Sequence, residues 1–314
     1  MLDRFERASC STIIRVCFVA AFLFLLLTAQ QAISQSPQPE GGGVRPGVLP
    51  KTWILGGPKC IEIPEFQIHE YNEDFYILRQ SGCSHYEKPF LYLLFGKDKV
   101  LLLDTGAGKN EVARVVKRVI DQWLARNKRA SINLVVAHSH GHRDHTAGDS
   151  QFEALPATVV VKPAAVAVQA FFNVHRWPDE IVQYDLGERI LDVIPIPGHE
   201  ASGVAIYDRQ TGILLTGDTL YPGRLYVHDG AAFAQSIQRL VEFTRGKIVT
   251  HVLGTHIENT RAPYLDYKIG TAYQPDEHQL ELSRGTLLEL NEALQRMNGH
   301  VTRLAFRDFT IWPE

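Results

Sequence analysis

The chain has 314 residues, 45% of them hydrophobic and 21% charged, enough apolar material to bury a full-sized core without disulfide staples. Its 32 basic and 35 acidic side chains leave a formal net charge of -3 and are interspersed along the sequence. Nothing in that balance points to nucleic acid or an anionic membrane surface as a partner.

The first 15 residues carry Arg4, Arg7 and Arg15 against Asp3 and Glu6, and an uninterrupted apolar run follows from Val16 to Leu27. That run is shorter than the roughly 20 residues a spanning helix needs and matches the core of a secretory signal peptide. Ala32-Ile33-Ser34 places small residues at cleavage spacing, so residues 1–34 are expected to be a signal peptide and the mature protein to be exported, periplasmic or secreted. An uncleaved membrane anchor is the alternative; once the signal is removed, no stable membrane partner is expected. Pro and Gly crowd residues 35–50, expected to be a flexible linker, and residues 51–314 then form one domain. Cys10 and Cys17 fall in the signal segment. Cys60 and Cys83 remain in the exported part, where an oxidising compartment favours a disulfide between them over two reduced thiols.

From Phe66 to Leu103 the pattern is a meander of short strands, with Phe75 to Leu78, Phe90 to Phe95 and Val100 to Leu103 separated by turn residues. The last runs into Asp104-Thr105-Gly106, where a carboxylate can cap a tight turn. Residues 111–126 are the clearest helix: Val112, Val115, Val116, Val119, Ile120, Trp123 and Leu124 share one face. A strand from Ile132 to Ala137 ends in His138-Ser139-His140-Gly141-His142-Arg143-Asp144-His145, with a helix expected from Thr146. Further strands are expected at Thr158 to Val161, Glu188 to Ile194, Gly203 to Tyr207, Ile213 to Thr216 and Ile248 to Leu253. Helices are expected at Pro163 to Phe172, Ala231 to Phe243 and Glu277 to Met297, the last with His278 and Glu281 on a solvated face. Asn259 to Gln274 reads as a long binding loop, and His300 to Trp312 as closing strand material.

Four imidazoles and a carboxylate within eight residues ask for a metal, since neutral imidazole and carboxylate suit zinc and its first-row neighbours. In an extended segment His140 and His142 would point the same way and share one ion, while Asp144 and His145 leave in another direction toward a second. Single ligand-type residues also follow later strands, each beside a glycine: His199, Asp218 and His256.

Counted from His140, the loop reads His-x-His-x-Asp-His followed by Ala147-Gly148, which resembles the signature of the metallo-β-lactamase superfamily of metallohydrolases. With His199, Asp218 and His256 in order, the resemblance spans about Phe66 to His256. It implies an α/β fold, the αββα four-layer sandwich, with the metal site at the strand ends. His140, His142 and His199 would then bind one divalent ion, Asp144, His145 and His256 a second, with Asp218 bridging; zinc is the expected metal, iron and manganese the alternatives. The superfamily also carries an Asp-x-Gly at Asp104, outside the metal shell. Its lactonases resemble this chain in a tyrosine three residues past the bridging aspartate, so Tyr221 is the expected oxyanion donor or general acid, with Arg224, Tyr226 and His228 as substitutes. Asp144 is the other catalytic candidate, as ligand or as orienter of the attacking hydroxide.

The implied reaction is hydrolysis of an ester, thioester or lactone carbonyl of a small molecule by a hydroxide shared between two metals. β-Lactam cleavage is disfavoured, because members that perform it carry Cys or Ser where this chain has Asp218; the sequence is more similar to the glyoxalase II and lactonase branch. A mononuclear iron redox enzyme on the same scaffold and a non-catalytic metal-binding protein are the competing readings. No Gly-x-Ser-x-Gly elbow supports serine chemistry. The export reading is checked by amino-terminal sequencing of protein purified from cells, which is expected to begin at Gln35; retention of Met1 would count against it.

Overall fold

The computed structural model describes residues 43–55, 60 and 63–314; the expected signal peptide, 1–34, lies outside them. Sheet one has the order β1 (Phe66–Asn72), β2 (Phe75–Gln80), β3 (Phe90–Phe95), β4 (Lys99–Leu103), β5 (Asn133–Ala137) and β6 (Thr158–Val160). Its first four strands are an antiparallel meander, and β4, β5 and β6 run parallel. Sheet two is built from β7 (Val182–Asp185), β8 (Ile190–Pro195), β9 (Val204–Asp208), β10 (Ile213–Gly217), β12 (His251–Gly254) and β13 (Glu281–Leu282), ordered β13-β12-β10-β9-β8-β7. Only β10 and β12 are parallel neighbours in it. A small third sheet joins β11 (Arg224–Val227), β15 (Thr310–Pro313) and β14 (Leu304–Ala305).

Because side chains alternate along a strand, each central strand feeds two cores. Phe90, Tyr92, Leu94, Leu101, Leu103, Val135 and Ala137 of sheet one meet Leu191, Val193, Val204, Ile206, Ile213, Leu215 and Leu253 of sheet two. The opposite face of sheet one packs under α1 (Val112–Arg126) through Val112, Val115, Val116, Val119 and Trp123. The opposite face of sheet two packs under α4 (Gly230–Phe243) and α5 (Arg284–Met297) through Phe233, Ile237, Leu240, Leu287, Leu290 and Leu294. Two shorter helices, α2 (Arg143–Thr146) and α3 (Ala165–Phe172), precede α4 in the chain. Helix, sheet, sheet, helix is the expected four-layer order.

Several boundaries differ from expectation for identifiable reasons. Residues 43–50 pack on the body instead of forming a free linker: Arg45 N donates to Gln210 O (2.7 Å) and Val48 N to Tyr71 O (3.0 Å). The helix expected over residues 277–297 starts only at Arg284, where Ser283 and Thr286 form a capping box. Upstream of it Leu282 pairs with Val252 and His278 lies 3.2 Å from Asp308, so Glu281 and His278 sit on no helix face. In place of the helix expected from Thr146 onward, the single turn α2 ends at Thr146 and contains Asp144 and His145. Strands β7 and β11, too short to show a period, were not anticipated. The disulfide between Cys60 and Cys83 is present, with Cα atoms 5.3 Å apart. No helix among the described residues is long and apolar enough to cross a membrane.

The two sheets are also joined through the arginine of a buried ion pair. Arg189 donates to both carboxylate oxygens of Asp208 (3.1 and 2.7 Å) and to the carbonyls of Asp74 (2.6 Å) and Phe95 (3.0 Å) across the sandwich. Removing one partner of a fully buried pair strands the other charge. Arg189→Ala is therefore expected to lower the unfolding free energy by about 3–5 kcal/mol, read from urea denaturation; a change below about 1 kcal/mol would show the pair to be dispensable.

Candidate metal centre

Strand polarity assembles the site. In sheet one β4 and β5 are parallel, with Leu103 opposite Ala137, so Asp104 and the histidine loop emerge side by side. In sheet two β10 and β12 are parallel, with Gly217 opposite Gly254, so Asp218 and His256 emerge together. Strand β8, two antiparallel steps from β10, runs the same way and delivers His199 to the same edge.

The seven expected ligands fall into two adjacent groups, His140, His142 and His199, and Asp144, His145, Asp218 and His256. In the first, His140 Nε2 lies 3.0 Å from His142 Nδ1, and His199 Nε2 lies 3.3 and 3.2 Å from those two atoms. Ring nitrogens bound tetrahedrally to one zinc at about 2.0–2.1 Å stand about 3.3 Å apart, so this spacing fits one ion. Residues 139–141 form bends, not a strand; His140 and His142 converge by offering different ring nitrogens rather than by alternation. In the second group, Asp144 Oδ2 is 3.0 Å from His145 Nε2 and 3.2 Å from His256 Nε2. Asp218 Oδ2 faces both groups, 3.6 Å from His145 Nε2, 3.7 Å from His199 Nε2 and 3.9 Å from His140 Nε2. His145 Nε2 is buried without a hydrogen-bond partner, and such an atom suits a metal ligand better than a structural polar group.

On four of the five rings the Nδ1 atom has an oxygen partner. His145 Nδ1 meets Asp104 Oδ2 (3.0 Å), His199 Nδ1 the Tyr226 carbonyl (2.8 Å), His256 Nδ1 the Glu87 carbonyl (2.9 Å) and His140 Nδ1 the Ser139 hydroxyl (3.1 Å). Acceptors at Nδ1 fix the proton there and turn the Nε2 lone pair toward the centre. Asp104 thus does more than cap a turn. Fully buried at φ 71°, it accepts from Ser139 N (2.7 Å), Ser139 Oγ (2.9 Å) and His145.

Electrostatics follow the same division. Burial pushes His140 and His199 below the ordinary imidazole range, keeping them neutral donors. Burial alone would raise Asp144 and Asp218, but the facing His145 and His256 rings outweigh it and hold both carboxyls well below their usual range. Conversely, burial opposes charge on His145 and His256, and the carboxylates overcome it and hold both rings above theirs. Protons and cations compete for the same nitrogens, so metal uptake releases protons.

Tyr221 lines the cavity beside the centre, but its hydroxyl is engaged within the protein. Its side chain is fully buried and its hydroxyl donates to the Arg224 carbonyl and toward Glu258 Oε2 (3.1 Å), which commits the proton within the loop. Its ring packs edge-on against His256 at 5.7 Å, so it positions a ligand. Of the substitutes, Arg224 is held by Glu258 and Asp266, and His228 faces Glu314 at 3.5 Å. Tyr226 receives a hydrogen bond from Arg224 Nε (3.0 Å) and lines the cavity.

That cavity, about 340 Å³, opens from the metal centre between Tyr86, Tyr226, Trp312 and residues 268–271. The expected binding loop does form one wall. Its anchors escaped the sequence reading: Arg79 makes a bidentate pair with Glu277 (3.2 and 3.0 Å), and the buried Lys88 donates to the carbonyls of Thr271 (3.1 Å) and Ala272 (3.4 Å). The available signal was a charged residue inside an apolar strand, at Arg79.

Comparison with known proteins agrees with this geometry. Bovine (Bos taurus) acyl-coenzyme A thioesterase MBLAC2 is 25% identical over 219 residues, 58% of this chain and 77% of its own. A hydroxyacylglutathione hydrolase from Aeromonas hydrophila is 27% identical over 158 residues, 49% of this chain and 58% of its own. The solved structure of the DIM-1 metallo-β-lactamase matches 74% of this chain and 98% of its own with a TM-score of 0.50 at 14% identity, a likeness of fold. Residues 89–293, well over half of the chain, match the family model of the metallo-β-lactamase superfamily. The chain belongs to that superfamily of metal-dependent hydrolases.

Proposed function

We infer that the protein hydrolyses a thioester or related ester of a small molecule at a centre of two divalent cations, zinc by preference, outside the cytoplasm. The observation that carries this is Asp218 Oδ2, which faces a three-imidazole group on one side and a mixed imidazole and carboxylate group on the other. Cations held there supply water activation near neutral pH and take up charge that develops on an attacked carbonyl.

The chain's own residues do the rest. His140, His142 and His199 present neutral nitrogens, while Asp144, His145 and His256 hold the second place. Asp144, 17% exposed in its side chain, is reachable from the cavity, where it can accept a proton or orient water. The aromatic wall of Tyr86, Tyr226 and Trp312 gives an acyl group an apolar surface and excludes water. An aspartate at 218 argues against β-lactam cleavage, and the relatives' names support an acyl substrate, the bovine one a thioester. The Cys60 to Cys83 disulfide supports export, because such bonds persist in oxidising compartments.

Elemental analysis is expected to find about two zinc ions per chain, with thioester hydrolysis abolished by a chelator and restored by zinc. A stable, fully active protein with one ion would sink the two-cation reading. Replacing Asp104 by Asn removes the charge that fixes His145, so the metal at the His145 place is expected to bind about 10- to 100-fold more weakly while the His140 place keeps its ion. Chelator competition measures this, and equal retention of both ions would show that Asp104 does not tune the site.

A further inference from the structure

A second groove, about 540 Å³, shares Tyr86, Glu87 and Asp144 with the main cavity and continues past His85, Gly108, Lys109 and Arg143. Its two acids are committed: Glu87 receives the Tyr86 hydroxyl (3.0 Å) and lies 3.2 Å from His85 Nδ1, and Asp144 faces His145 and His256. Its two cations are not. Lys109 and Arg143 are exposed, and neither makes an ion pair or side-chain hydrogen bond among the described residues. Of the other cations near the centre, Arg224 is used by Glu258 and Asp266, Arg79 by Glu277 and Lys88 by two carbonyls, while Lys268 stands apart on the rim of the main cavity.

The groove also has a flat wall. The rings of His85 and Tyr86 stack at 4.9 Å and 28°, with Tyr86 43% exposed. Gly108, at φ +59°, lets the turn carrying Lys109 close on that wall, since a Cβ there would come within 2.9 Å of His85 Cδ2. An excess of unpaired positive charge beside a flat aromatic face, open at one end to the metal centre, suits an anion borne on an extended arm.

We propose that the groove lined by His85, Tyr86, Lys109 and Arg143 seats an anionic arm, phosphate or carboxylate, of the substrate whose carbonyl lies at the metal centre. This rests on the ester or thioester reading above. It makes the preferred substrates acyl compounds of a charged thiol or alcohol, and makes Lys109 and Arg143 specificity determinants.

The test uses the zinc-loaded full chain and a series of thioesters with one acyl group and leaving thiols of equal length ending in phosphate, carboxylate or hydroxyl. Wild-type kcat/KM is expected to favour the anionic members by about fivefold or more, the margin shrinking in high salt. In Lys109→Ala/Arg143→Ala the anionic-to-neutral ratio is expected to fall toward one at unchanged zinc content and melting temperature; the phosphate member against the carboxylate member tells which anion is meant. Equal wild-type rates for all three, or a ratio the double variant leaves intact, would overturn the assignment. So would a ratio abolished instead by Lys268→Ala, on the rim of the main cavity. Should no thioester be hydrolysed, the ester reading fails by itself. Calorimetry with the uncleavable thioether of the phosphate-terminated thiol then still decides the groove: binding weakened about fivefold or more in the double variant supports it, and equal binding overturns it.

Discussion

The site hangs on one buried carboxylate. Asp104 has no solvent to stabilise its charge, and a buried carboxylate is tolerable only when its oxygens are occupied by donors. It finds three, all in the histidine loop: the backbone and hydroxyl of Ser139 and the ring of His145. Cross-linking the end of β4 to the chain leaving β5 fixes where His140 begins its bend and how His145 is rotated in α2. Sheet two repeats the device. There the Thr255 hydroxyl, just past β12, donates to Asp218 Oδ1, just past β10. Each parallel strand pair thus locks its own carboxyl ends, and the metal centre lies where the two locked ends face each other.

The two clusters that could hold a metal were legible in the sequence because their residue types are local and rare. Histidines crowd behind an apolar strand, a histidine or aspartate sits beside glycine after later strands, and chains seldom combine the two unless they bind metal. Helix α1 was legible for a similar reason, its apolar stripe being long enough to show a period. What could not be read depends on partners distant in sequence. Arg79 and Glu277 are separated by 198 residues, and neither has a local feature that names the other. Tyr221 was placed correctly beside the site, but whether its hydroxyl points to the cavity or back to Arg224 depends on how the loop after β10 turns onto Glu258. The early start expected for α5 failed because apolar spacing continued upstream, while a two-residue strand and a capping serine decided the boundary.

Proton placement is as deliberate as ligand placement. Four of the five histidines have Nδ1 occupied by an oxygen from four different places: a carboxylate, two carbonyls and a hydroxyl. His142 is the exception, approaching through Nδ1 from the extended residue that caps α2. The rings are held by backbone as much as by side chains, so their orientation depends on the turns being intact and less on any one neighbouring residue type.

The wall formed by residues 259–280 contributes no ligand after His256. It is stapled to the frame at separate points, by Arg79 to Glu277, by Lys88 to residues 271 and 272, and by Arg224 to Asp266. Beside and between the staples it exposes Tyr264, Leu265 and Ile269, large side chains that no core requires. Residues 259–280 thus shape the cavity without supplying a candidate ligand. A lineage built on this plan can exchange the residues between the staples and acquire new substrates while the reaction itself is inherited unchanged.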